Sequence, residues 1–218
     1  MRNLVCSAVL LVSLAVTPAC EDDPTTPPPA TPSDELRLLP LTSREAVLNN
    51  IEYAYNQRKI EVIDQLLDAD FIFYFASGDV VGSIPPDWGR SEELYVTQVM
   101  FESNLQPVPI SPEIKSMHFD VQFEEGVEWT SFTPGGFPSE TWYLAEVGYS
   151  FTVEVTPDFT FNSKPGSSAQ FTVRNVGSDE APHYQLVECR DQGTTTLIVR
   201  ALEVGPDTWG RLKALFCC

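Results

Sequence analysis

An α+β fold, with helices packed on an antiparallel sheet, is predicted by three observations. Two amphipathic helical patterns run straight into an aromatic strand between Thr42 and Ala76. A third helical pattern follows at Ser91–Leu105. From Ile114 onward the chain reads as strands divided by turn residues. Runs of helices followed by runs of strands argue for helices segregated to one face of an antiparallel sheet.

Thr42 and Ser43 are good N-cap residues, and Glu45, three after Thr42, completes a capping-box pattern. Val47, Ile51, Ala54 and Tyr55 then recur at helical spacing. Asn56-Gln57-Arg58-Lys59 reads as a polar turn, and Ile60, Ile63, Leu66 and Leu67 mark the second helix. Asp68-Ala69-Asp70 ends it, and Phe71-Ile72-Phe73-Tyr74-Phe75 has the composition of a strand. Gly78–Pro86 is a loop. Ser91 is the expected N-cap of the third helix, Glu92 and Glu93 suit its positive end, and prolines 107, 109 and 112 stop it.

Residues 114–123 and 127–132 flank Glu124-Glu125-Gly126 and are expected to pair as a hairpin. In Trp142–Val155, the residues Val147, Tyr149, Phe151, Val153 and Val155 share one face. Strands are expected at Phe159–Phe161 and Ala169–Val176. A last pair, His183–Cys189 and Thr195–Val204, is expected around a turn at Asp191-Gln192-Gly193. Trp209 and Phe216 of the final segment are expected to dock on the core.

The segment from Val47 to Gly78 resembles the start of an NTF2-like (SnoaL-like, cystatin-like α+β) domain. The matching marks are Ala54-Tyr55-Asn56, the run Leu66-Leu67-Asp68-Ala69-Asp70-Phe71, and the strand after it. The resemblance extends over Thr42 to Phe216. It implies a strongly curved antiparallel sheet wrapped around the N-terminal helices, with a cone-shaped cavity between. The family includes isomerases, dehydratases, cyclases, transport factors and non-catalytic modules, so the fold leaves the function open.

Residues 1–20 form a leader with Arg2 in its n-region, an apolar run from Leu4 to Val16, and an exit at Thr17-Pro18-Ala19-Cys20. It resembles a bacterial lipoprotein signal, which implies lipidation of Cys20. Thr17 and Pro18 depart from the usual pattern, so plain signal cleavage is the alternative. Residues 21–40 form a Pro/Thr-rich linker expected to be disordered. Residues 41–218 form the domain. The expected address is therefore the bacterial cell envelope, periplasmic or surface side, with membrane attachment through an N-terminal lipid.

The net charge of −18 argues against nucleic acid or an anionic lipid surface as a partner. His118 and His183 are the only histidines and stand alone, so no metal site and no cofactor are expected. There is no GxSxG elbow. In an exported protein, Cys189 is expected to pair with one of the terminal cysteines, Cys217 being the candidate.

Carboxylate chemistry of the family's isomerases does not carry over: the family's helix-one tyrosine falls at Ile51 and its base near Phe75. A relocated set drawn from Tyr55, Asp79, Tyr95 or His118 leaves catalysis open. Tyr55, Trp88, Tyr95, Trp129 and Tyr149 are the candidate lining of an apolar ligand pocket. The leading expectation is a non-catalytic protein that binds a small apolar ligand or a protein partner. The alternatives are a SnoaL-like isomerase, dehydratase or hydrolase, and a homodimeric assembly module.

Overall fold

A computed structural model describes residues 37–80, 85–102, 113–122, 126–155, 159–194 and 208–214. The leader with Cys20, most of the linker, the strand expected at 195–204, and Phe216, Cys217 and Cys218 lie outside these residues. The last linker residues are tied down: Leu39 exchanges two 2.8 Å hydrogen bonds with the side chain of Asn50.

Helix α1 is Arg44–Gln57. Its N-cap is Ser43, whose hydroxyl accepts from the Ala46 N–H at 3.2 Å. The capping box expected from Thr42 and Glu45 is therefore out of phase by one residue. Val47, Ile51, Ala54 and Tyr55 are buried, as their spacing requires. Arg58 ends the helix in the left-handed region (φ 51°), and its guanidinium donates to the Ile114 carbonyl at 3.0 Å. Helix α2 is Ile60–Leu66, and strand β1 follows at once as Leu67–Tyr74. Leu67, expected on the helix, already belongs to the strand. Asp68 is buried in β1 and takes a bidentate pair of 2.8 Å hydrogen bonds from Arg174.

A short strand β2, Asp87–Gly89, precedes helix α3, Arg90–Phe101. The N-cap of α3 is Gly89 in place of Ser91, and no side chain caps it. The remaining elements are β3 (Ile114–Val121), β4 (Thr130–Phe132), β5 (Trp142–Val155), β6 (Phe159–Asn162), β7 (Ser167–Asn175), β8 (Tyr184–Thr194) and α4 (Trp209–Ala214).

The sheet order is β2-β1-β8-β7-β5-β3, with β4 and β6 also on β5. β1 runs parallel to β8, so the sheet is mixed and not purely antiparallel. The connection from the N-terminal helices delivers β1 beside the last described strand, a pairing no local pattern encodes. The helices pack on this curved mixed sheet in the α+β arrangement that the sequence predicts.

The bend is centred on β5. Its first half, Trp142–Gly148, is flanked by β4 and β7; its second half, Tyr149–Val155, by β3 and β6. Both neighbours break at the same level. Gln122 follows β3 there and donates its N–H to the Gly148 carbonyl at 2.9 Å. A Cβ on Gly148 would stand 2.5 Å from Gln122 Oε1, so the absence of a side chain eases this crossing. The expected hairpin of β3 with β4 does not form: the two strands follow one another along the same edge of β5. β8 likewise continues through Asp191-Gln192-Gly193, where a turn was expected.

Helix α1 packs on β3 and closes its outer edge. Asn56 donates to the Phe119 carbonyl (2.6 Å) and accepts from the Phe119 N–H (2.8 Å), and Glu52 accepts from the Val121 N–H (3.1 Å). Two side chains thus do for β3 what a neighbouring strand would do. Replacing Ser43 with Ala is expected to cost about 1 kcal/mol of stability in urea unfolding, the usual loss for an N-cap. Thr42→Ala, by contrast, is expected to leave stability within about 0.5 kcal/mol.

Candidate functional site

The concave side of the sheet and the helices enclose a box of aromatic rings, and α4 stands inside it. The Trp209 ring lies 5.0–6.2 Å, centroid to centroid, from those of Tyr55, Phe73, Phe119, Tyr149 and Phe171. The spacing of the final segment explains why this residue is inward. Trp209, Leu212 and Lys213 fall on one helical face, and all three are buried.

Lys213 is the exceptional member, because its side chain is 0% exposed. Its ammonium donates to Glu93 Oε1 at 2.6 Å and lies 3.9 Å and 4.0 Å from the ring centroids of Phe73 and Trp209. Glu93, also buried on α3, accepts from Trp88 Nε1 at 2.9 Å and from the Thr97 hydroxyl at 3.3 Å. Both oxygens of this carboxylate accept from donors, and the cation is walled by rings that favour it.

A second carboxylate holds the start of α4. Asp191 accepts from the Tyr149 hydroxyl and the Gly193 N–H, each at 3.0 Å, and from the Gly210 N–H at 2.6 Å. The Tyr149 oxygen in turn accepts from the Trp209 N–H at 3.0 Å. Asp79, buried at the end of β1's loop, accepts from the Thr208 hydroxyl. The fit is close at Gly210, where a Cβ would stand 2.9 Å from Phe75 Cδ1.

Burial raises the Asp191 carboxyl above its ordinary pKa, outweighing the hydrogen bonds from Gly210, Gly193 and Tyr149. Burial also pushes up the Tyr149 phenol, with Asp191's charge adding to it. The Tyr55 phenol and the Cys189 thiol rise well above their usual values for the same reason, burial first. A thiol so protonated is a poor nucleophile.

Little room is left beside α4 among the described residues. A cavity of about 10 Å³, about the room of one water molecule, lies among Tyr55, Phe73, Glu93, Cys189, Trp209 and Lys213. Tyr55 Oη and Trp209 Nε1 are buried without a hydrogen bond of full geometry among the described residues, although Thr97 and Trp209 lie near enough to lower the Tyr55 pKa against the effect of burial.

The candidate lining residues divide. Tyr55 and Tyr149 meet around Trp209, and Trp88 joins them indirectly, packed on Phe73 and Phe75 and bonded to Glu93. Tyr95 points outward and is 60% exposed. Trp129 lies elsewhere, beside Tyr143 and the Arg44 guanidinium. His118 is exposed on β3, apart from Tyr55 and Asp79. Cys189 is buried and forms no disulfide among the described residues, and its candidate partner Cys217 is outside them. No three His, Cys, Asp or Glu side chains are placed to hold a metal ion among the described residues.

Trp209 was expected to dock on the core and does so, whereas Glu93, Asp191 and Lys213 were not singled out as site residues from sequence. A signal for two of them exists: Glu93 shares a helical face with Val96, Thr97 and Met100, and Lys213 shares one with Trp209 and Leu212. A charge on an apolar stripe marks a buried, paired group. Asp191 carried no such mark, since its Asp-x-Gly setting is also that of an ordinary turn.

No protein-family model and no curated protein matches this sequence. Some solved structures are similar to part of this chain. A conserved protein of Planctomyces limnophilus is 15% identical, with a TM-score of 0.45 over 67% of this chain and 90% of its own. An NTF2-like protein of unknown function in nutrient uptake from Rhodospirillum rubrum is 10% identical, with a TM-score of 0.42 over 69% and 98%. A protein with a cystatin-like fold from Caulobacter vibrioides is 12% identical, with a TM-score of 0.41 over 69% and 86%.

Two predictions follow from the geometry of this site. Lys213→Met is expected to lower stability by about 3–5 kcal/mol, because it strands Glu93 in the box. Adding Glu93→Gln to it is expected to cost much less than the sum of the single changes, as a double-mutant cycle in urea would read. The second concerns pH. Because the folded pKa of Asp191 is raised, its contribution is fully present below the unfolded carboxylate value of about 4 and is lost as pH rises through the folded value. The stability advantage of wild type over Asp191→Asn should therefore shrink as pH is raised from about 4, and then level off, in thermal melts of the two proteins.

Proposed function

We propose that this chain is a non-catalytic binding module of the bacterial cell envelope, anchored through lipid on Cys20, that takes a small amphipathic ligand in its cone. The observation that carries this reading is the aromatic box with its buried carboxylates. Such a box is built to hold an apolar body with a polar head. Its carboxylates are arranged for holding and not for proton transfer. Glu93 and Asp191 accept hydrogen bonds from α4 and Asp79 from Thr208 just before it, and this engagement occupies all three carboxylates. In this reading α4 is the resident occupant, and a ligand enters in exchange for it.

A second reading is favoured by the small volume that remains. With α4 in the cone and a cavity of only about 10 Å³ beside it, the domain would then act through its outer surface on a protein partner or as a homodimer.

Native mass spectrometry of the mature chain, purified from its membrane, separates the two. A retained small-molecule mass is the expected outcome; a ligand-free dimer would favour the second reading. The lipid anchor is checked independently: Cys20→Ala is expected to move the protein from the membrane fraction to the soluble fraction.

A further inference from the structure

We propose that the place held by α4 is a receptor site for an arylalkyl primary ammonium, a ligand with an aromatic ring and an amine joined by a short aliphatic tether. The proposal rests on the small-ligand reading above and names its ligand class.

The chemistry is written in what α4 presents to the box. It offers one indole and one ammonium, and the two touch: the Lys213 nitrogen is 4.0 Å from the Trp209 ring centroid. The ring is taken by Tyr55, Phe119 and Phe171, and the ammonium by Glu93 and the face of Phe73. Few short ligands combine these groups at that separation, and an arylalkyl amine is the simplest.

Charge makes the cation obligatory. If α4 leaves, Glu93 keeps Trp88 and Thr97 as donors but loses Lys213, its buried counter-ion among the described residues. Asp191 loses the Gly210 N–H at the same time. A neutral ligand would leave a carboxylate unpaired behind aromatic walls, which is costly. A ligand ammonium restores the pair.

The fit around α4 is close: a Cβ on Gly210 would stand 2.9 Å from Phe75 Cδ1. Tyr55 Oη and Trp209 Nε1 are buried without a hydrogen bond of full geometry among the described residues, although Thr97 and Trp209 lie near enough to act on the Tyr55 phenol. A ligand that gives these groups well-aligned partners gains over the present occupant.

The test uses the full-length chain labelled with 5-fluorotryptophan and observed by fluorine NMR, with Trp209 assigned by the signal lost in Trp209→Phe. Phenethylamine is the probe and phenethyl alcohol its neutral analogue. Phenethylamine is expected to move the Trp209 signal saturably toward its solvent-exposed position, with the alcohol weaker by about tenfold or more. Lys213→Met removes the competing ammonium and is expected to tighten phenethylamine by about tenfold. Gly210→Ala loosens α4 against Phe75 without altering charge, and should tighten it as well. If the alcohol matches the amine in wild type and both variants, the ammonium class is overturned and small-ligand binding survives. If neither compound moves Trp209 in wild type or in Gly210→Ala, the proposal and the small-ligand reading both fall.

Discussion

The ion pair between Lys213 and Glu93 sets the terms for everything around it. Two full charges sit where the side chains are 0% and 4% exposed. Such a pair is tolerable only if each charge is compensated on all sides. Here the carboxylate is compensated by Trp88 and Thr97, and the ammonium by the faces of Phe73 and Trp209. Those four residues come from β1, β2, α3 and α4, so the pair ties together elements distant in the chain. It also fixes the depth of α4, because an ammonium on a flexible stem stops where its counter-ion is.

The cone that receives α4 exists because the sheet bends. β5 changes both of its neighbours at one level, around Gly148, and bulges interrupt the pairing of β7 with β8. The bend turns Phe119, Tyr149 and Phe171 toward a common centre, and Trp209 fills it. On the outer side the same strands carry charge. Arg174 on β7 clamps buried Asp68 and reaches Glu140, and these bonds raise its pKa although burial alone would lower it. Acidic groups are therefore used in two ways, outside to pin strands together and inside to hold the final helix.

Much of the architecture was legible in the residues. The 3.6-residue spacing of Val47, Ile51, Ala54 and Tyr55 and the alternation in Trp142–Val155 both name buried faces, because burial demands one period in a helix and another in a strand. Boundaries failed where a local signal had competing uses. Thr42 and Ser43 are equally good caps, and only the folded entry to α1 selects Ser43. Asp191-Gln192-Gly193 has the chemistry of a turn, and Asp191 does bond the Gly193 N–H in that manner. It stays within β8 because the pairing with β7 and the hydrogen bond to Gly210 hold it there.

By itself the sequence determined where the three N-terminal helices and most of the strands lie, and which of their faces are apolar. These follow from local periodicity and need no knowledge of neighbours. Only the tertiary structure decided that β1 runs parallel to β8, that Tyr55 and Tyr149 meet while Tyr95 and Trp129 do not, and that the cone is occupied. Each of these depends on groups tens of residues apart meeting in space. The pairing of Glu93 with Lys213, 120 residues away, is the extreme case. A buried charge announces that it needs a partner, but the partner is chosen by the fold.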